Sequence, residues 1–166
     1  MKNALSIFLI SSVLLSACGI YSFTGASISP EVETVSIAYF PNNAPMVQPT
    51  LSNTFTESLK DKFISQTNLD LLNNNGDLHF EGSITGYKVK PIAIQANETA
   101  AQNRLTISVK VAFTNAFDEE NNFSKSFSRF ADYSSTQDLS AVETELIEQI
   151  VDELTEDIFN KAVANW

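Results

Sequence analysis

The chain has 166 residues, a formal charge of -10 and a single cysteine. One domain of this length can bury a core without disulfides or structural metal, and one thiol cannot form an internal disulfide. A surface this acidic repels phosphate backbones, which argues against nucleic-acid binding and against a broad electrostatic grip on anionic lipid.

In chain order, Lys2 precedes an apolar run from Ala4 to Leu15, then Leu15, Ser16, Ala17 and Cys18. A charged start, an apolar middle and small residues at the cut describe a secretory signal peptide over residues 1–17. The Leu-Ser-Ala-Cys ending resembles the lipobox of bacterial lipoproteins, which implies that Cys18 is acylated and becomes the new N-terminus. The apolar run is shorter than the roughly 20 residues needed to span a bilayer. Residues 18–33 then form a lipidated tether of small and hydroxylated residues, with Tyr21 and Phe23 isolated within it.

Residues 34–40 alternate, with Val35, Ile37 and Tyr39 on one face, and this predicts a strand. Leu51, Phe55, Leu59 and Phe63 recur every fourth residue with Ile64 beside the last, predicting an amphipathic helix over 50–67 that begins just after Pro49. A short apolar piece at 69–72 precedes Asn75-Gly76, a hairpin signal. The next strand, 78–90, places Leu78, Phe80, Gly82, Ile84 and Gly86 on an apolar face and His79, Glu81, Ser83, Thr85 and Tyr87 on a polar one. The two glycines on the apolar face would let a helix or bend come close.

After a polar connection at 91–101, the alternation of Leu105, Ile107, Val109, Val111 and Phe113 with polar residues predicts a strand with one buried face. A polar turn at 118–122 leads to a last strand at 123–135. Phe123 and Phe127 share a parity there that Phe130 breaks, which suggests a bulge near Ser128 or Arg129. Ser140 and Glu143 form a capping-box pattern before a helix whose apolar row is Val142, Leu146, Ile150, Leu154 and Ile158. Its opposite side carries Glu145, Glu148, Asp152, Glu153, Glu156 and Asp157.

The element order implies an α+β fold: a two-layer sandwich with two helices packed on one face of a mixed, mostly antiparallel sheet of four to five strands. Residues 34–166 form this single domain.

Catalytic patterns are sparse. His79, Glu81 and Ser83 share one strand face, but neighbouring side chains of one face point outward in parallel, so surface decoration is the better reading than a triad. One histidine and no free thiol exclude the common zinc spacings, and residues 118–122 lack the glycine and closing glutamate of a calcium loop. No phosphate-binding glycine motif and no nucleophile elbow is present. The residues describe a non-enzymatic protein without cofactor or metal.

Several segments together resemble the LptE lipoproteins of Bacteroidota: CGIYSFTG (18–25), VSIAYF (35–40), FTESL (55–59), FEGSITGY (80–87), NRLTI (103–107), FSRFADY (127–133) and DIFNK (157–161). The resemblance implies a lipid-anchored subunit of the outer-membrane lipopolysaccharide translocon that helps to assemble and plugs an LptD-like β-barrel, on the periplasmic side or in the barrel lumen. An adaptor lipoprotein of another envelope complex is the alternative. Lys88, Lys90 and Arg104 are candidate contacts to lipopolysaccharide or to the partner, although structural ion pairing is the stronger expectation for basic residues in so acidic a chain. No acidic residue follows Cys18 closely, whereas the surface-export signal of Bacteroidota lipoproteins typically has them. This places the domain on the inner side of the outer membrane.

Overall fold

A computed structural model describes residues 28–92 and 101–163. Cys18, the rest of residues 1–27, most of the 91–101 connection and the chain's last three residues lie outside them. The order is β1 (Thr34–Ile37), α1 (Leu51–Gln66), β2 (Asp70–Leu72), β3 (Leu78–Ile92), β4 (Gln102–Asn115), a 3-10 turn (Glu119–Asn121), β5 (Phe123–Ser134) and α2 (Leu139–Val163). The strands form one open sheet in the order β2-β1-β3-β4-β5. β1 pairs parallel with both neighbours over short stretches, while β3-β4 and β4-β5 are long antiparallel ladders. The expected two-layer α+β sandwich is what the chain adopts, with both helices on one face.

The apolar stripe of α1 is buried as its spacing requires: Leu51, Phe55, Leu59 and Phe63 are fully buried. Ile64 is instead 52% exposed, because it falls outside the arc that meets the sheet. The Thr50 side chain makes no capping bond; the Gln48 side-chain oxygen accepts from the amides of Thr50 and Leu51. Phe63 packs its ring against Phe80 of β3 and Phe159 of α2, at 4.8 and 5.0 Å between centroids, and so joins both helices to the sheet. Lys62 adds a polar clasp between the helices, donating to Asp152 and Glu156 at 3.0 Å each.

The alternation of β1 ends at Ile37. Tyr39 is 61% exposed, and Phe40 turns into the core instead. The chain from Phe40 onward bends across β3, and the Ile84 amide donates to the Pro41 carbonyl. Gly82 is the reason this fits. A Cβ there would lie 2.0 Å from the Lys110 carbonyl oxygen of β4 and 2.7 Å from the Phe40 ring, so the paired strand and the bend, rather than a helix, come close.

Asn75-Gly76 is not a hairpin. β2 and β3 both run parallel to β1 and flank it, so residues 73–77 cross over β1. Asn75 does take a positive φ of 57°, while Gly76 is needed for space: a Cβ would sit 2.5 Å from the Ser36 nitrogen. Asp77 locks this crossing by accepting from the amides of Glu33 and Thr34 and from the Thr34 hydroxyl. The Thr34 hydroxyl, followed by the Glu33 amide, holds the Asp77 carboxyl below the usual carboxylate range.

The bulge lies in β3, not in the last strand. The β3-β4 register slips between Ile84 and Gly86, leaving Thr85 as the extra residue. Faces therefore exchange beyond it: Gly86 turns outward opposite Ser108, and Tyr87 turns inward to 3% exposure opposite Ile107. β5 pairs with β4 without interruption, and Phe130 simply lies on the uncovered face, 47% exposed. The capping box is also replaced. The Asp138 carboxylate accepts from the Ser140 amide at 3.1 Å, and Glu143 is engaged by Tyr87.

Candidate functional site

Because the helices cover one face, the other face of the sheet is the large uncovered surface. Register assigns its side chains: His79, Glu81, Ser83, Gly86, Lys88 and Lys90 from β3; Arg104, Thr106, Ser108, Lys110, Ala112 and Thr114 from β4; Ser124, Ser126, Ser128, Phe130 and Asp132 from β5. Hydroxyls and amines dominate it, and its few acids contrast with the carboxylate row on the outer side of α2.

The sequence-derived basic cluster is brought together at one end of this face. Lys90 is paired directly with Arg104, and Lys88 stands opposite Thr106, two residues further along β4. Arg104 is committed to the protein itself. Its guanidinium makes a two-pronged contact with Asp132, 2.7 and 2.8 Å, and lies 3.5 Å over the Phe130 ring. Arg129, on the covered side, is likewise bound by Asp157 at 2.6 Å through two nitrogens. These pairs match the expectation of ion pairing. Lys88 and Lys90 make no ion pair among the described residues.

His79 bonds through Nδ1 to the hydroxyl of Ser36, 2.7 Å away, which also accepts from the Gly76 amide. Its Nε2 lies 4.0 Å from Glu81. Ser83 takes no part, so His79, Glu81 and Ser83 do not form a relay; His79 instead supports the crossover above β1. Ser83 borders a shallow recess of about 470 Å³ beside Tyr39, Glu81, Lys110, Ala112 and Ser124. That recess offers hydroxyls, one ammonium and one carboxylate, with no nucleophile bonded to a base. Residues 118–122 form an exposed turn in which Asn121 donates to Asp118. Among the described residues no group of three His, Cys, Asp or Glu is placed to hold a metal, and every buried side-chain polar atom has a partner. No described helix is long and apolar enough to cross a membrane.

Simple alternation puts Tyr87 on the polar face, but the bulge turns it into the core, where it donates to Glu143. Burial, then its hydrogen bond to Glu143, pushes the phenol well above its ordinary pKa. Nothing in the residue pattern marks the bulge at Thr85 that turns Tyr87 inward.

The two ends of the molecule differ. Ile28, Pro30 and Val32, where the described chain begins, line a cleft of about 440 Å³ with Thr67 and Leu69, at the C-terminal end of α1. Lys90 lies twelve residues along β3 from the strand's start at that end, about 40 Å at ~3.3 Å per residue. The start of the described chain and the basic cluster are thus at opposite ends of the sheet.

These features define a small two-layer α+β domain with an uncovered polar sheet face. The family model LptE, lipopolysaccharide-assembly, matches residues 32–162, and the chain belongs to that family. No curated protein sequence matches it. Among solved structures, a minor lipoprotein from Acinetobacter baumannii is similar at a TM-score of 0.53 and 13% identity, covering 79% of this chain and 92% of that one. A protein described as a neuraminyllactose-binding hemagglutinin homolog from Helicobacter pylori is similar at 0.52 and 9%, covering 85% and 88%. At such identities the likeness is one of fold.

Proposed function

We propose that this chain is a non-enzymatic, lipid-anchored subunit of the outer-membrane lipopolysaccharide translocon, and that it assists assembly of and plugs an LptD-like β-barrel. Residues 1–17 are its cleaved signal peptide, Cys18 its acylated anchor, residues 18–33 its tether and residues 34–166 its working domain. The observation that carries this reading is the family match over nearly the whole domain. The uncovered sheet face supports it, because a hydroxyl- and amine-rich surface suits a polar barrel lumen. The anchor supports it too: tethering beside a membrane-embedded partner raises the effective concentration of the domain without any new contact.

Lys88 and Lys90 are the candidate contacts to lipid phosphate or to an acidic segment of the barrel, held at the end of the sheet away from the tether. Arg104 has a structural part, fixing Asp132 and Phe130 beside them. The protein acts on the inner side of the outer membrane.

Affinity purification of the acylated chain from native membranes tests the reading. It should bring down a large β-barrel in stoichiometric amount, and depletion of the chain should remove lipopolysaccharide from the cell surface. Recovery of the free lipoprotein, with surface glycolipid unchanged on depletion, would refute it. Recovery with a different envelope complex would establish the adaptor alternative.

A further inference from the structure

The recess on the uncovered face, about 470 Å³ in volume, is built from three strands and the end of the first. Ala112 gives it depth, because this small side chain lies between Glu81 of β3 and Ser124 of β5 in one cross-strand row. The next row sets Lys110 opposite Ser83. Glu81 and Lys110 therefore stand on a diagonal of the β3-β4 ladder, about 7–8 Å apart at the backbone, which leaves room between the two charges. Tyr39, just past β1 and largely exposed, borders the same space.

Elsewhere on this face polar side chains engage one another; around the recess they do not. Ser108 bonds Ser128 and Asp132 holds Arg104, whereas among the described residues the hydroxyls of Tyr39, Ser83 and Ser124 have no partner. Lys110 makes no ion pair there, and Glu81 has only His79 Nε2 near it, at 4.0 Å. A pair closed directly between Glu81 and Lys110 would be exposed, and so weak enough for a ligand to displace.

We infer that this recess binds a short zwitterion carrying an ammonium and a phosphoryl group, of the phosphoethanolamine type. The inference stands apart from the translocon reading, since it rests on the recess and not on a barrel. Glu81 and Tyr39 make the half that takes the cation: a carboxylate accepts from an ammonium, and an aromatic face attracts it. Lys110, flanked by Ser83 and Ser124, makes the half that takes the anion. Its ammonium and the two hydroxyls can each donate to a different oxygen of a phosphoryl group, whereas a carboxylate has only two oxygens. The two halves also reject simpler ligands. A lone anion meets Glu81, a lone cation meets Lys110, and a neutral sugar leaves both charges unanswered. The recess begins three residues into β3, at the end of the sheet where the described chain starts. A lipid headgroup and a free solute offer the same chemistry to it.

The test titrates soluble glycerophosphoethanolamine into the full chain, isolated from its native membranes in detergent micelles, and follows backbone amide shifts by NMR. Saturable shifts should centre on Tyr39, Gly82, Lys110 and Ala112. Inorganic phosphate alone and ethanolamine alone should each bind roughly tenfold or more weakly. Glu81→Gln should erase the advantage of the zwitterion over phosphate, and Lys110→Gln its advantage over ethanolamine. Both side chains are exposed, so the amide spectra of the variants should otherwise match the parent. The inference is overturned by an absence of saturable shifts at the recess, by equal binding of phosphate alone or of methyl galactoside, or by variants that weaken all probes alike. Bicelles tell the two sources apart. With phosphatidylethanolamine in place of phosphatidylglycerol, the recess shifts appear without soluble probe if the headgroup reaches the site, and only with the probe if a free solute is the ligand; either result sustains the inference. Failure at the recess leaves the translocon reading standing, and a chain that recovers no barrel leaves the recess result unaltered.

Discussion

The two faces of the same sheet behave as different materials. On the covered face, β3, β4 and the helices enclose a dry layer of Phe63, Phe80, Phe113, Leu105, Ile107 and Ile150, and a change there has no solvent to relax into. On the uncovered face, Ser108 and Ser128 share a hydrogen bond and Arg104 shields Phe130, yet all of these remain in contact with water. The lesson is a division of labour: the covered face holds the fold, and the uncovered face is free to carry recognition.

That contrast can be broken from its strongest side first. Phe63→Ala, which removes the ring joining both helices to the sheet, should cost about 3–5 kcal/mol in denaturant unfolding. Gly82→Val forces a side chain against the Lys110 carbonyl of β4 and the Phe40 ring and should cost about 3 kcal/mol or more. Tyr87→Phe keeps the ring but leaves Glu143 without its donor; a loss of about 1 kcal/mol at neutral pH is expected from thermal or denaturant melts.

The pH dependence of that last pair follows from the direction of its shift. Burial first, and Glu143 next, raise the Tyr87 pKa in the folded state. A raised pKa favours the protonated folded form, so the contribution is complete below the unfolded phenol value near 10 and is lost as pH rises beyond it. Lys62 acts in the same window. Burial alone would lower its pKa, but the hydrogen bonds to Asp152 and Glu156 outweigh this and leave it raised. The wild type should therefore lose stability above about pH 10, and a Tyr87→Phe, Lys62→Met double variant should show a flatter alkaline limb in pH-dependent melts.

The uncovered face should give the smallest stability effects. Phe130→Ser removes a half-exposed ring stacked under a guanidinium and should cost no more than about 1 kcal/mol. A Lys88→Glu, Lys90→Glu double variant should melt within about 0.5 kcal/mol of the parent, yet reduce delivery of lipopolysaccharide to the cell surface. Undiminished delivery would remove these two lysines from the proposed contact.

Periodicity made α1, β4 and α2 legible, since one-sided burial imposes a repeat of 3.6 or 2 on any element that packs by a single face. The nearness of Lys88 and Lys90 to Arg104 was legible as well, because one strand ends close to where the next begins, although alternation alone would put Lys90 and Arg104 on opposite faces. The irregularities were not. Phe130 looked like a register error in β5, but the error was one of face, and an aromatic can remain outside when a guanidinium covers it. The bulge at Thr85 leaves no mark in composition, and the choice between Ser140 and Asp138 as a cap depends on where Tyr87 draws Glu143.

By itself, then, the amino-acid sequence determined the buried rows of α1, β4 and α2, the α+β class and the family resemblance, all of which follow from local periodicity and residue order. Only the tertiary structure decided that β1 lies between β2 and β3, that Tyr87 faces inward and that β5 is the long edge of the sheet. Those outcomes depend on which backbone groups find partners across distant segments, and hydrogen-bond pairing between strands is a property of their arrangement rather than of any one stretch of chain.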